Sequence, residues 1–373
     1  MEKIKNFLKA ETVLVISFLL AVISVFFKRP SMEYAGYIDF RTLSLLFCLM
    51  VVTSELNSLG VFSEIAEALL AKANSYRQLT ILLVCLCFFS SMIITNDVAL
   101  ITFVPFSITL FQMANLEKKL VSLIVLETIA ANLGSMFTPL GNPQNLYLYG
   151  LSGMTMKEFL LLMLKPTLVA FILLMIGCFL QSGKDVELSQ LDTGNSKKQV
   201  ANRKGKLSFS IVLFFICLLS VFRVVSYEVP FAVAVLGSIL IDRKILKKPD
   251  YSLLFTFVFF FIFIGNMKHL ESVCALLENM LRGRELITSF LCSQIISNVP
   301  AAVLLSGFTG DFEKLILGVN IGGLGTLIAS MASLISYKLF VANCPEEKGR
   351  YFGVFTGANL VFAVVLLGGC LAF

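Results

Sequence analysis

The sequence has no tryptophan, a single histidine (His269), and Asp, Glu, Lys and Arg at only 14% of its 373 residues. A soluble domain carries about 25% charged residues. With 57% hydrophobic residues and a mean hydropathy of +0.88, the chain reads as an all-α polytopic membrane protein. The scarcity of histidine also argues against an intramembrane enzyme, because there is no HExxH-type motif and no nucleophile–base pair. Nine cysteines are scattered through apolar segments. Cys85 and Cys87 are two apart and face different sides of a helix, so neither a disulfide framework nor a metal cluster is implied. No cleavable leader follows the basic start, since the run after it lacks a small-residue cleavage site. The net charge of +6 is met by membrane loops without a nucleic acid partner. With Trp absent, tyrosines near span ends must supply the interfacial belt.

What is present is a set of interrupted apolar segments. Thr95-Asn96-Asp97 breaks one between the arms Leu79–Ile94 and Val98–Met113, and Ser297-Asn298-Val299-Pro300 breaks another between Leu286–Ile296 and Ala301–Phe308. Polar and ionisable residues at membrane depth are expensive and mark ion or substrate pathways by default. A span from Leu120 stops in Phe137-Thr138-Pro139-Leu140-Gly141-Asn142-Pro143-Gln144-Asn145, where two prolines end the helix, and helix resumes near Leu146. A later one from Phe312 stops in Gly322-Gly323-Leu324-Gly325-Thr326 and resumes to Leu339. Amphipathic helices over 61–73 and 269–281 lie at the interface, and the hydrophilic stretch 182–206 is a cytoplasmic linker.

The two halves repeat. Met92–Leu100 lies over Gln294–Ala302, placing Asn96 on Asn298. Asn132–Leu146 lies over Asn320–Leu334 without a gap, placing Asn132 on Asn320, Gly134 on Gly322, Thr138 on Thr326 and Asn142 on Ser330. Taking each interrupted pair as a re-entrant hairpin leaves nine crossings, with the N-terminus and most of the 30 Lys and Arg on one side, the cytoplasmic one. Five spans separate the hairpins, and an odd number inverts the second copy. The expectation is therefore two inverted-topology repeats, 1–181 and 207–373. Each has a re-entrant hairpin (79–113, 286–308) and a broken transmembrane helix (120–151, 312–339), the pattern of a secondary transporter with a midplane site.

Half-helix N-termini suit an anion, and unwound carbonyls suit a hard cation. The substrate- and ion-binding candidates are Thr95, Asn96, Asp97, Thr138, Gly141, Asn142, Pro143 and Asn145 in the first half. In the second they are Ser297, Asn298, Asn320, Thr326 and Ser330. A Na⁺ coupling ion would sit at Thr95, Asn96, Asp97 and Gly141. A proton path would use Asp97 and Glu127, the latter mid-span before Asn132. The bland alternatives are a helix cap for Asp97, a polar pairing inside the bundle for Glu127 and helix–helix glue for Asn132 and Asn320. His269 is read as a surface residue.

The stretches TNDVALITFVP (Thr95–Pro105), ANLGSMFTPLGNPQNL (Ala131–Leu146), SQIISNVPAAVLL (Ser293–Leu305) and GVNIGGLGTLIASMASLI (Gly318–Ile335) resemble the ion-transporter superfamily. That group includes arsenite-pump membrane subunits, Na⁺/H⁺ antiporters and divalent-anion:sodium symporters. Across essentially the whole chain the sequence is most similar to citrate-transporter-like permeases of undefined substrate. The resemblance implies a scaffold and an elevator-like transport domain, usually in a homodimer, moving a small anion or oxyanion across the cell membrane with Na⁺ or H⁺. Arsenite-type efflux or Na⁺/H⁺ antiport is the alternative. In the symporter branch each tip carries Ser-Asn-Thr; here Asp97 stands at the last position of the first tip, and Val299-Pro300 follow Ser297-Asn298 in the second.

Overall fold

The computed structural model describes residues 11–70, 75–114, 116–181 and 202–371, and among these the chain is helical with no strand. Most of the linker expected over 182–206, and the end of the first interfacial helix, lie outside the described residues.

The first half runs through α1 (Thr12–Ser24), α2 (Glu33–Tyr37), α3 (Phe40–Ser58), α4 (Val61–Leu70), α5 (Tyr76–Ser90), α6 (Asn96–Met113), α7 (Leu120–Ser135), α8 (Pro143–Ser152) and α9 (Met156–Phe179). The second runs through α10 (Arg203–Val221), α11 (Glu228–Ile241), α12 (Tyr251–Met267), α13 (Glu271–Leu281), α14 (Glu285–Ile296), α15 (Asn298–Ser306), α16 (Phe312–Ile321), α17 (Met331–Asn343) and α18 (Lys348–Leu371). Side-chain caps set many of the starts. Asp39, Ser75, Asp250 and Asp311 accept a backbone N–H three residues on, and Thr155 with Glu158 closes a reciprocal capping box at α9.

Among the described residues five helices are long and apolar enough to cross a membrane: Phe40–Ser58, Asn96–Met113, Met156–Phe179, Arg203–Val221 and the last one, ending at Leu371. Four shorter apolar helices accompany them, Thr12–Ser24, Tyr76–Ser90, Glu228–Ile241 and Glu285–Ile296. Their outward faces carry exposed Leu, Ile, Val and Phe, as on α9 (Leu161, Leu168, Ile172, Ile176) and α18 (Leu360, Val361, Val364). In a chain of this composition such faces belong against lipid. The protein is a multi-pass membrane protein. By length and composition α6 itself qualifies as a span.

Helix packing mixes the two halves. α1 packs along α12, and α3 along α10 and α11. Separately, α5 and α6 pack on α7, α14 on α16, α17 on α6 and α7, and α18 on α7 and α9. Each group therefore takes helices from both halves of the sequence. In the first group, Asn266 of α12 donates to Ser24 Oγ of α1 at 2.9 Å and to Tyr34 at 2.8 Å. Glu55 of α3 is fully buried, held by the Lys248 ammonium and by Lys206 of α10 at 3.9 Å. Lys206 also meets Asp242 at 2.6 Å. This ion cluster fastens α3 to α10 and to the turn that follows α11.

Boundaries at the tips and the breaks differ from the sequence reading. α6 starts at Asn96 rather than Val98 and α15 at Asn298 rather than Ala301, so Asn96, Asp97, Asn298, Val299 and Pro300 are helical. Helix resumes at Pro143 rather than near Leu146: Asn142 caps it by accepting the Asn145 N–H at 2.9 Å, and Pro143 occupies the first helical position, where its missing N–H costs nothing. The second break is longer than the glycine run. It includes a 3₁₀ turn at Leu327–Ala329, and regular helix returns only at Met331.

Candidate functional site

The two tips and the two breaks meet inside the second group of helices. At the first tip, Asn96 is the first residue of α6. Its backbone N–H donates to Gly141 O at 3.1 Å, and its side-chain amide donates to Asn132 Oδ1 at 3.1 Å. Asn132 of α7 then crosses to the other half: Ser330 Oγ donates to its Oδ1 at 2.9 Å, and its Nδ2 donates to Ser333 Oγ at 3.0 Å. Asn142 Nδ2 donates to Asn320 Oδ1 at 3.1 Å, and Asn320 Nδ2 donates to Asn145 Oδ1 at 2.6 Å. Asn96, Asn132, Asn142, Asn145, Asn320 and Ser330 are all buried. At membrane depth such amides need partners from within the protein, and here much of that partnering comes from the opposite half.

Positions paired by the sequence repeat make paired bonds. Asn132 bonds Ser330, and their counterparts Asn320 and Asn142 bond each other. Thr138 Oγ1 donates to Met92 O, and its counterpart Thr326 Oγ1 donates to Gln294 O at 3.1 Å. Asn96 Oδ1 accepts the next N–H at 3.0 Å, as Asn298 Oδ1 does at 2.9 Å. Gly134 and Gly322 are matched too: a Cβ on either would sit 2.6 Å from the hydroxyl of Ser91 or Ser293 on the facing arm.

Four helix N-termini open at this place, those of α6, α8, α15 and α17. The cap side chain closes that of α8. Thr95, Ser297 and Ser330, the caps of the other three, form no side-chain cap bond. In the first turns of α6 and α15 most N–H groups are already spent: Asn96 N–H on Gly141 O, Asp97 and Val299 N–H on the Oδ1 of Asn96 and Asn298, and Pro300 has none. The start of α17 is the more open one, and open N–H groups with partial positive charge are the backbone arrangement that holds anions. Ser297 is in the left-handed region with φ 73°, a conformation costing about 1–3 kcal/mol for a non-glycine residue and concentrated at functional sites.

Asp97 is half-buried in the first turn of α6. Its carboxylate caps no N–H and joins no ion pair among the described residues. The capping alternative for Asp97 thus finds no support, and a carboxylate remains for a cation.

Other candidates are placed differently. The hydroxyls of Thr138 and Thr326 are engaged on backbone carbonyls, tying each break to its neighbouring arm, and Thr326 is exposed. Pro143 contributes helix initiation. Gly141 must be glycine, because a Cβ would lie 2.1 Å from Ser135 O. Glu127 is buried away from the tips, where Ser107 Oγ donates to it. His269 pairs with Tyr37 OH at 3.1 Å at the surface, in keeping with its surface reading.

Four residues escape the sequence reading. Gln294 spans the second break, donating to Gly322 O and Leu324 O at 2.9 Å each and accepting the Thr326 N–H at 3.0 Å. Ser135 supports Asn142 at 3.3 Å. Ser333 and Ser336 join Ser330 on α17 at intervals of three, a polar stripe on an otherwise apolar helix that periodicity alone would have found.

Comparison with known proteins places the chain among transporters. A family model described as citrate transporter matches residues 9–309, and the chain belongs to that family. An uncharacterized transporter of Methanocaldococcus jannaschii is 33% identical over 86% of this chain and 86% of its own. The inner membrane protein YbiR of Escherichia coli is 29% identical over 85% and 84%. A silicon efflux transporter of Oryza sativa subsp. japonica is 34% identical over a shorter stretch, 38% of this chain and 29% of its own.

Proposed function

We propose that the protein is a secondary active transporter that carries a small anion or oxyanion across the cell membrane, coupled to Na⁺ or H⁺. The observation that carries this reading is the crossed amide network. Asn132–Ser330 and Asn320–Asn142 join the halves by one bond made twice, beside the open N-terminus of α17 and the Asp97 carboxylate, which has no partner among the described residues. The open N-terminus of α17, with the buried amides beside it, receives the anion. Asp97, with oxygens of Thr95, Asn96 and Gly141, receives the Na⁺ or proton; Na⁺ takes just such hard oxygen ligands.

The paired bonds support two inverted-topology repeats, each with a re-entrant hairpin and a broken helix. The sorting of helices into two groups supports an elevator in which the group bearing the site moves against the group built on α1, α3 and α10–α12. A homodimer would anchor that scaffold, with the N-terminus in the cytoplasm.

Purified protein in proteoliposomes, under imposed Na⁺ or pH gradients and a panel of anions, tests the proposal. Gradient-dependent uptake is expected, and no flux across a broad panel overturns it. Asp97→Asn should remove the coupling; full gradient response in that variant removes Asp97 from the ion site.

A second reading is favoured by the relative named as a silicon efflux transporter and by the carboxylate at the first tip. It is efflux of a weak oxyacid, as in arsenite-type permeases, or Na⁺/H⁺ antiport. Growth of expressing cells on arsenite or at high Na⁺ separates it from anion uptake.

A further inference from the structure

We infer that Glu127 is a proton-carrying group of this transporter, distinct from Asp97 and sealed inside the bundle. The inference rests on the transport reading above and divides the two carboxylates between two tasks: Asp97 meets an ion or substrate at the tip, and Glu127 stores a proton.

Glu127 has no exposed surface. Its Oε1 accepts a hydrogen bond from Ser107 of α6, and its Oε2 has no partner among the described residues. α7 is packed by α5, α6, α9, α16, α17 and α18. The titratable groups turned toward Glu127 are Cys87 of α5 and Tyr351 of α18, with Tyr337 of α17 behind the latter. No Lys, Arg or His forms an ion pair with it among the described residues. A bare carboxylate in such surroundings is penalised by several kcal/mol, on the order of the cost of any unpaired buried charge. A neutral carboxyl escapes most of that cost. Contrast Glu55, equally buried but met by two ammonium groups: that carboxylate is a structural clip, and Glu127 has no such clamp.

The neighbourhood also supplies a route. Thr128, the next residue, shares a hydrogen bond of 2.6 Å with Ser336 Oγ of α17, and Ser336 reaches Tyr351 OH at 3.4 Å. A file of hydroxyls thus runs along the α7–α17 seam to the first turn of α18, with Thr128 Oγ1 also donating to Ile124 O at 2.6 Å; Thr128 stands about 100° round α7 from Glu127, so water would have to bridge the two. Five residues further along α7, about 7–8 Å at the helical rise, stands Asn132 of the crossed network. The α7–α17 seam that carries the hydroxyls also carries Asn132–Ser333 and Asn132–Ser330. Opening that seam would admit water to Glu127. On release the carboxyl O–H bond breaks, its electron pair stays on Glu127 as a carboxylate, and the proton passes to water; reloading reverses the step with no other reactant.

The test uses the full chain in proteoliposomes and compares uptake driven by a pH gradient with substrate counterflow in the same vesicles. Glu127→Gln is expected to lose the response to the pH gradient, and Glu127→Asp to recover part of it. Infrared spectroscopy of the unmodified protein should show a protonated-carboxyl C=O band that Glu127→Gln removes. A full pH response in Glu127→Gln, or the unaltered band in that variant, overturns the inference. Should Glu127→Gln fail to insert, Tyr351→Phe cuts the hydroxyl file while keeping the ring: slowed pH-driven uptake supports the inference, and an unchanged rate overturns it. An unmodified protein driven by Na⁺ yet indifferent to pH refutes the role of Glu127 alone, whereas one that moves no anion under any gradient refutes the transport reading itself.

Discussion

Removing Asn320 is the most direct probe of how the halves are joined. Asn320→Ala deletes three bonds: the one accepted from Asn142 at 3.1 Å, and those donated to Asn145 Oδ1 at 2.6 Å and to Ile316 O at 2.8 Å. Side-chain hydrogen bonds in a membrane bundle average about 0.6 kcal/mol each, and about 1.7 at most. Three of them amount to roughly 2–3 kcal/mol. Asn142 Nδ2 keeps Ser135 Oγ at 3.3 Å and is not stranded. Asn145 Oδ1 loses its donor, which adds about 1 kcal/mol, the low end for an orphaned buried acceptor. The total expected is about 3–4 kcal/mol, read as loss of unfolding free energy in detergent or bicelles. Much of that is shared with neighbours, so the decisive quantity is a coupling energy. A double-mutant cycle of Asn142→Ala with Asn320→Ala should show about 0.6–1.7 kcal/mol, and one of Asn132→Ala with Ser330→Ala a similar value. Asn266→Ala with Asn320→Ala, two sites that share no partner, should couple by less than about 0.5 kcal/mol. Couplings indistinguishable from zero in both cross-half cycles would refute the reasoning that the network holds the two halves together.

Other perturbations follow from single contacts. Gly134→Ala places a Cβ 2.1 Å from Phe88 O and 2.6 Å from Ser91 Oγ; it should cost about 1–3 kcal/mol in thermal unfolding despite the better helix propensity of Ala, and Ser91→Ala should not rescue it because the nearest atom is backbone. Lys248→Ala leaves Glu55 with Lys206 alone at 3.9 Å. A loss of about 2–3 kcal/mol is expected, below that of a fully buried pair because Lys248 is partly exposed, and Glu55→Gln in that background should restore part of it. The Lys206 hydrogen bond, with help from the Lys244 N–H, holds the Asp242 carboxyl below its ordinary range. Its stabilising contribution is therefore complete above the ordinary Asp range and is lost as pH falls through the depressed value. Asp242→Asn should flatten the acid side of a melting-temperature profile, and an identical profile would contradict this.

The interruptions were readable in the sequence because membrane depth leaves polar residues few explanations. Asn96, Asp97, Asn142 and Asn298 stand out against apolar arms, and the repeat sets Asn132 on Asn320. What escaped depends on partners distant in sequence or on the backbone. Pro143 reads as a breaker from composition, yet with Asn142 before it the same residue starts a helix. Gln294 works on backbone groups, those of the second break and Phe290 O of its own helix, which no side-chain pattern announces. Glu55 looks like a flaw in an apolar span, and Lys206 and Lys248 that satisfy it lie far along the chain. The fate of Asp97 turned on its place in the first turn of α6, one position past where the tip's own polar groups are spent.

The seam between the two helix groups differs in kind from the contacts within them. Leaving aside α4 and α13, two hydrogen bonds cross it among the described residues: Thr102 to Asn57 at 2.9 Å, and Arg223 to Tyr149 O at 3.3 Å. Tyr147 adds ring contacts with Phe257 and Phe261, at 6.1 and 5.4 Å between centroids. Dispersion between rings and aliphatic side chains is not directional and survives a change of register, whereas a hydrogen bond does not. Displacing one group along the other would thus sacrifice about 1–3 kcal/mol of directional contact, a barrier component small enough for motion on the microsecond-to-millisecond scale. Directional bonds are concentrated where the asparagines interlock, and ring contacts where the two groups meet.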